Sequence, residues 1–184
     1  LVYTTLTIFC ATSYKIFGMN FFDSITHSMT TIATGGFSNY NESLGFFNSR
    51  FIESSAIIFI LLGSIPFISY IKFLNGDREI FFKDIQIKTF LKIIFFSIVI
   101  LSIYLNFNSS IKFDFIAVLF NVISILTGTG YVNAQFDSWG SFSLVLFLIL
   151  MFIGGCAGST TCGVKIFRIQ ILYSFVINLS LIHI

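Results

Sequence analysis

The chain has 184 residues, of which 56% are hydrophobic and only 10% charged, with a mean hydropathy of +0.95. A water-soluble domain carries roughly 25% charged residues to solvate its surface; ten basic and eight acidic side chains cannot cover a 20.8 kDa globule, so lipid is the expected solvent. The net charge of +2, without a Lys/Arg stripe interleaved with aromatics, excludes nucleic acid as a partner.

A helix needs about 20 apolar residues to span the hydrocarbon core, and the candidate spans are 1–18, 51–73, 89–106 and 141–184. The first opens at Leu1 inside an apolar run, without an initiator Met, a basic leader or a small-residue cleavage site. It does not read as a signal peptide; the chain is expected to be a piece of a longer protein. The last stretch is too long for one span, because an unbroken helix of that length would extend about 66 Å. The run Gly154-Gly155-Cys156-Ala157-Gly158-Ser159-Thr160-Thr161-Cys162-Gly163 is expected to interrupt it.

Between the spans lie two amphipathic segments too short to cross, Phe21–Ile32 and Phe115–Leu126. Each ends in a Thr/Gly cluster, Ala33-Thr34-Gly35-Gly36-Phe37-Ser38 and Thr127-Gly128-Thr129-Gly130-Tyr131. A short helix followed by a glycine-rich extended segment, flanked by full spans, is the pattern of a re-entrant pore loop. The pattern repeats: Gly36 and Gly130 lie one repeat length apart, and the same offset carries His27 to Asn121 and Gly63-Ser64-Ile65-Pro66 onto Ala157-Gly158-Ser159-Thr160. Matched Gly/Pro interruptions in two halves of a transport protein point to its functional centre.

The chemistry of these clusters suits a monovalent cation. A dehydrating cation needs a ring of oxygens, and backbone carbonyls supply them without burying net negative charge. Glycine reaches the necessary φ/ψ without a Cβ penalty, and threonine hydroxyls extend the ring. Thr34, Gly35, Gly36 and Phe37, with Gly128, Thr129, Gly130 and Tyr131, are therefore the candidate filter residues, and Phe37 and Tyr131 are expected to wedge each filter against its own pore helix. The breaks at Gly63–Pro66 and Gly154–Gly163 imply a water-lined path or a tight interface, because irregular backbone survives at membrane depth only there. Pro66 removes a backbone donor and frees carbonyls about a turn upstream; a plain packing kink is the alternative. Lys165 and Arg168 either snorkel to headgroups or, for Arg168, face the path below the filter as a barrier to cations. Asp23 and Asp114 open the short helices, where an acid suits the N-terminal partial charge. Cys10, Cys156 and Cys162 read as small packing residues, and His27 and His183 are too far apart in sequence for a metal site. Five of the ten basic residues, Lys72, Arg78, Lys83, Lys88 and Lys92, cluster in one loop, which the positive-inside rule makes cytoplasmic, so both filters face outward.

With these residues in place, the chain resembles the Trk/Ktr/HKT superfamily of potassium transporters, and most closely its bacterial TrkH-type potassium-uptake branch. The likeness is carried by HSMTTIATGGFSNYNESLGFF (27–47), NVISILTGTGYVNAQFDSWGSFS (121–143) and LFLILMFIGGCAGSTTCGVKIFRI (146–169). It implies an all-α integral membrane fold of M1–pore helix–filter–M2 repeats with broken M2 helices. Residues 1–74 would be the third repeat of four, 75–87 a cytoplasmic loop and 88–184 the fourth repeat. It further implies potassium uptake through filters centred on Gly36 and Gly130, with K+ held at the filter residues only. The gating elements would be Gly63, Pro66 and a pore-facing Arg168. The implied partners are the first and second repeats of the same protein, a homodimer mate, a cytosolic nucleotide-binding regulatory subunit and membrane lipids; the implied location is the inner membrane. No cofactor and no enzymatic activity are expected, since there is no Walker motif, nucleophile elbow or pair of catalytic carboxylates. Two departures stand out: Gly128 occupies a position usually held by Thr, removing a hydroxyl, and Thr161-Cys162 replaces smaller residues. A coupled cation symporter, a sodium-conducting relative and a non-conducting fragment are the competing readings.

Overall fold

The computed structural model describes residues 1–107 and 113–182; His183 lies outside them. In chain order the helices are α1 (Val2–Ile16), α2 (Phe21–Ile32), α3 (Arg50–Ser64), α4 (Phe67–Leu74), α5 (Ile80–Lys83), α6 (Ile85–Phe107), α7 (Phe115–Leu126), α8 (Ser141–Phe152) and α9 (Ile166–Ile182). Single 3₁₀ turns at Ser43–Phe47 and Phe136–Trp139 follow the two glycine clusters. Both short helices occupy the bounds expected from the sequence. The element order from α1 to α4 is repeated by α6 to α9.

The expected spans are realised unevenly. Among the described residues only Ile85–Phe107 is a single helix long and apolar enough to cross a membrane; it begins four residues before the expected 89 and ends one after 106. The 51–73 span divides into α3 and α4, bent by 86° at a short break. The 141–184 stretch divides into α8, of 12 residues, and α9, of 17. The 1–18 span yields a helix of only 15 residues. The cause is chemical: Pro66 cannot continue the ladder, and the second glycine run leaves it altogether.

The carbonyls freed by Pro66 find new donors. Leu62 O accepts from the Tyr70 hydroxyl at 2.6 Å. Gly63 O and Ser64 O accept from the backbone N–H groups of Thr160 and Cys156, both at 3.3 Å. In return, Phe67 N donates to Gly158 O at 3.0 Å. The two breaks therefore satisfy each other, which is how irregular backbone survives away from water.

Helix α7 is apolar nearly all round and buried along its last ten residues apart from Leu119, packed against α3, α6 and α8. Helix α2 is amphipathic and packs on α1, where the Tyr14 hydroxyl meets Thr31 Oγ1 at 2.8 Å in the buried interface. The two acids at the helix starts behave differently. Asp114 is an N-cap, accepting from Ile116 N at 3.1 Å. Asp23 lies inside the first turn and instead anchors the segment after the filter, accepting from Asn39 Nδ2 at 3.2 Å and the Tyr40 hydroxyl at 2.8 Å.

Asp114 also pairs with Arg50 across the repeat boundary at 2.8 Å. Burial alone would raise the Asp114 carboxyl, but the hydrogen bonds from Arg50 and the Ile116 N–H outweigh it and hold the group below its ordinary value of 3.8. The stabilisation is thus present above that value and lost only as pH falls through the lower folded value, so acidification to about pH 5 leaves the tie intact. Asp114→Ala should cost about 1 kcal/mol through the lost cap, whereas Asp114→Asn retains most of it; thermal unfolding in detergent at neutral pH distinguishes the two.

Candidate functional site: two glycine filters and the paired breaks

Each pore helix ends by turning its backbone into the left-handed region. Thr34 has φ +49° and Gly36 +67° in the first cluster; Gly128 has +70° and Gly130 +82° in the second. Thr34 carries a side chain in a conformation that costs a non-glycine residue about 1 kcal/mol or more, and Gly128, its counterpart, avoids that strain.

The clusters are braced in register. Thr30 Oγ1 donates to Phe37 O at 3.0 Å, and its counterpart Ser124 Oγ donates to Tyr131 O at 2.7 Å. His27 joins Asp23 O at 2.8 Å and Ser38 Oγ at 2.9 Å; Asn121 Nδ2 donates to Ala117 O and to Asn133 Oδ1, both at 2.9 Å. These pairs tie each glycine segment to its own helix, a role the sequence reading gave to the aromatics. His27 and Asn121 stand out in the sequence as polar residues at the repeat offset, and Thr30 and Ser124 share that offset.

The aromatics act differently from that expectation. Tyr131 is 1% exposed and its hydroxyl bonds to Thr30 Oγ1 and, at 3.2 Å, to His27 O, both on the pore helix of the other repeat. The ring thus locks one filter to the neighbouring repeat, within an aromatic cluster containing His27, Tyr40 and Phe47. Phe37, the counterpart, is 77% exposed and wedges against nothing comparable here.

The filters approach each other backbone to backbone. A Cβ on Gly36 would stand 1.8 Å from Thr129 O, so only glycine fits. Gly130 is different: a Cβ there would meet nothing within 4 Å. Gly35 has room as well, with Phe37 its nearest neighbour at 3.4 Å. Beyond the glycines, a polar vestibule is lined by Ser38, Asn41, Glu42, Asn133 and Gln135.

At the opposite end of the filters, where the pore helices finish, lies the loop between α8 and α9. Its neck closes by Gly154 N→Val164 O at 2.9 Å and Val164 N→Phe152 O at 3.0 Å. Thr160 Oγ1 donates to Ile32 O, the end of α2, at 2.8 Å and to Gly63 O at 3.1 Å. Cys162 Sγ stands 3.3 Å from Gly128 O. One loop therefore touches the end of α2, the second filter and the Gly63–Pro66 break. Lys165 reaches back into it, bonding Thr161 O, Thr161 Oγ1 and Ser159 O. Arg168 is exposed in the first turn of α9 and forms no ion pair among the described residues.

Two short helices ending in left-handed glycine segments, joined to each other and closed at one end by paired helix breaks, fit an all-helical membrane fold of the pore-loop class. A family model described as TrkH, cation transport protein, matches residues 1–180. The chain belongs to that family. It is 37% identical over 172 residues to the Trk system potassium uptake protein TrkI of Halomonas elongata, covering 92% of this chain and 35% of that protein. It is 36% identical over 177 residues to the Trk system potassium uptake protein TrkH of Escherichia coli K12, covering 94% and 37% respectively. The crystal structure of the potassium transporter TrkH from Vibrio parahaemolyticus superimposes with a TM-score of 0.88 at 35% identity, over 94% of this chain and 38% of that one. The chain thus spans little more than a third of the length of these relatives.

Proposed function

We propose that this chain forms two pore-loop repeats of a potassium-uptake protein, with K+ passing along the carbonyls of Thr34–Phe37 and Gly128–Tyr131. The observation that carries the reading is the junction of the two glycine segments, braced at matched positions and meeting where Gly36 touches Thr129 O. Carbonyl rings replace a cation's hydration shell without burying charge, and the negative ends of α2 and α7 lie at the same place. Residues 1–74 and 88–184 act as the third and fourth repeats around the 75–87 loop. Tyr131 sits on the pore helix of the preceding repeat, and the exposed Phe37 calls for an equivalent helix from a repeat earlier in the full protein.

On this reading the basic cluster at 72–92 is cytoplasmic, the filters open outward across the inner membrane, and a dimer mate and a nucleotide-binding regulatory subunit meet the inner surfaces. The protein needs no cofactor and catalyses no covalent chemistry. The paired breaks form the gate, and Arg168 faces the path as a fixed positive charge. The test is growth of cells lacking their own potassium uptake when supplied with the full-length protein. Rescue at low potassium is expected; no rescue despite membrane expression refutes the assignment. Arg168→Ala should raise potassium flux about fivefold, the equivalent of about 1 kcal/mol of cation repulsion removed from the path. Unchanged flux returns Arg168 to the headgroups.

A further inference from the structure

Building on the reading of the glycine segments as a cation filter, we propose that Cys162 supplies to the second filter the side chain that Gly128 lacks, so that the loop and this filter act as one unit. The argument starts from the repeat. Gly128 matches Thr34 and Thr127 matches Ala33, and both Thr34 and Gly128 hold left-handed backbone, at φ +49° and +70°. In the first filter Thr34 Oγ1 donates to Ala33 O at 2.8 Å. In the second filter no side chain on residue 128 can do so. Instead Cys162 Sγ lies 3.8 Å from the matched carbonyl, Thr127 O, and 3.3 Å from Gly128 O. A thiol is a weak donor of one hydrogen, and it stands at the same end of the filter as the threonine hydroxyl of the other repeat.

The space is shared as well as the bonding. A Cβ built on Gly128 would fall 1.9 Å from Cys162 Sγ. The sulfur thus occupies the volume in which a side chain at 128 would begin, and the two departures from the usual residues are complementary. The consequence is functional. In the first filter the ordering group belongs to the filter itself, whereas in the second it arrives with the loop and leaves with it. An S–H donated to Gly128 O competes with a cation for that oxygen, so a seated loop and an occupied site at this end oppose each other. Cys162 is accordingly a positioning residue for the filter, coupling loop position to cation binding.

The test is a set of variants in the full-length protein, read as K+ flux and as the K+/Na+ flux ratio in liposomes. Gly128→Thr alone should cut K+ flux severalfold, because the Cys162 side chain must turn away from the filter to relieve the overlap. Cys162→Gly alone should lower the K+/Na+ ratio. The double change should return both quantities to within about twofold of the unaltered protein, since contacting residues are not additive. Cys162→Ser and Cys162→Ala give a second comparison that does not depend on how Gly128→Thr folds. They are close in size, yet only Ser keeps a donor, and only Ala should lower the ratio. Effects that simply multiply in the double variant, or equal ratios for Ser and Ala, overturn the proposal. An unaltered protein that carries no K+ overturns the filter reading beneath it; one that conducts while the variants multiply overturns this inference alone.

Discussion

Replacing Gly36 by Ala should reduce potassium flux about tenfold or more, while the same change at Gly130 should be much milder. Both residues are filter glycines with positive φ, +67° and +82°, so backbone strain alone predicts similar penalties of about 1 kcal/mol at each. Their surroundings separate them. The new methyl at 36 would overlap Thr129 O at 1.8 Å and crowd Thr129 C at 2.8 Å, both backbone atoms that cannot turn aside as a side chain would. Relief requires one filter to move relative to the other, an overpacking cost of about 1–3 kcal/mol that falls on the geometry proposed to ligate the ion. At 130 the methyl enters open space. Ion flux and thermal stability measured together decide the matter: equal losses at the two sites would mean that strain, and not the junction, governs both.

Gly154→Ala should produce the second large effect, at the neck of the loop. Its Cβ would lie 2.0 Å from Cys162 O and 3.1 Å from the carbonyl carbons of Cys162 and Gly163. The neck must then part, and with it the bonds of Gly154 and Val164 that hold the loop closed. Once the loop is displaced, the amides of Cys156 and Thr160 leave the Ser64 and Gly63 carbonyls, and Thr160 Oγ1 leaves Ile32 O. If the paired breaks gate the path, unstimulated K+ flux should rise about tenfold, the equivalent of about 1.4 kcal/mol taken from the closed state. Gly158 provides the control. Its nearest neighbour is Pro66 Cβ at 4.0 Å, so Gly158→Ala brings backbone strain without prising the neck. A Gly154→Ala protein that folds and shows unchanged resting flux would remove the loop from the gate.

Much of this architecture can be read from the chain itself, because it rests on local chemistry. Phe21–Ile32 and Phe115–Leu126 are helices bounded by glycine clusters, and Pro66 and the second glycine run break helices for reasons internal to their own segments. The constant offset then pairs the two halves. What escapes such a reading depends on how separate segments meet. Nothing local to Tyr131 says that its hydroxyl bonds the other repeat's helix and not its own, and the order in which neighbouring repeats pack decides that. Nor does local spacing reveal that the breaks at Gly63 and Thr160 satisfy each other's backbone, though the shared offset hinted at their equivalence. The placement of Cys162 against Gly128 escaped for the same reason. Each looked like a separate departure from a familiar pattern, and only contact between the loop and the filter joins them.

The central claim is that a potassium ion passes where the two glycine segments meet. The most direct test is isotope flux through the purified full-length protein in liposomes, comparing the unaltered protein with Gly36→Ala. Selective potassium flux that falls about tenfold or more in Gly36→Ala, with the protein still folded, is the predicted result. Potassium flux equal in the two proteins would contradict it, for the ion would then be crossing somewhere other than the junction of Gly36 and Thr129.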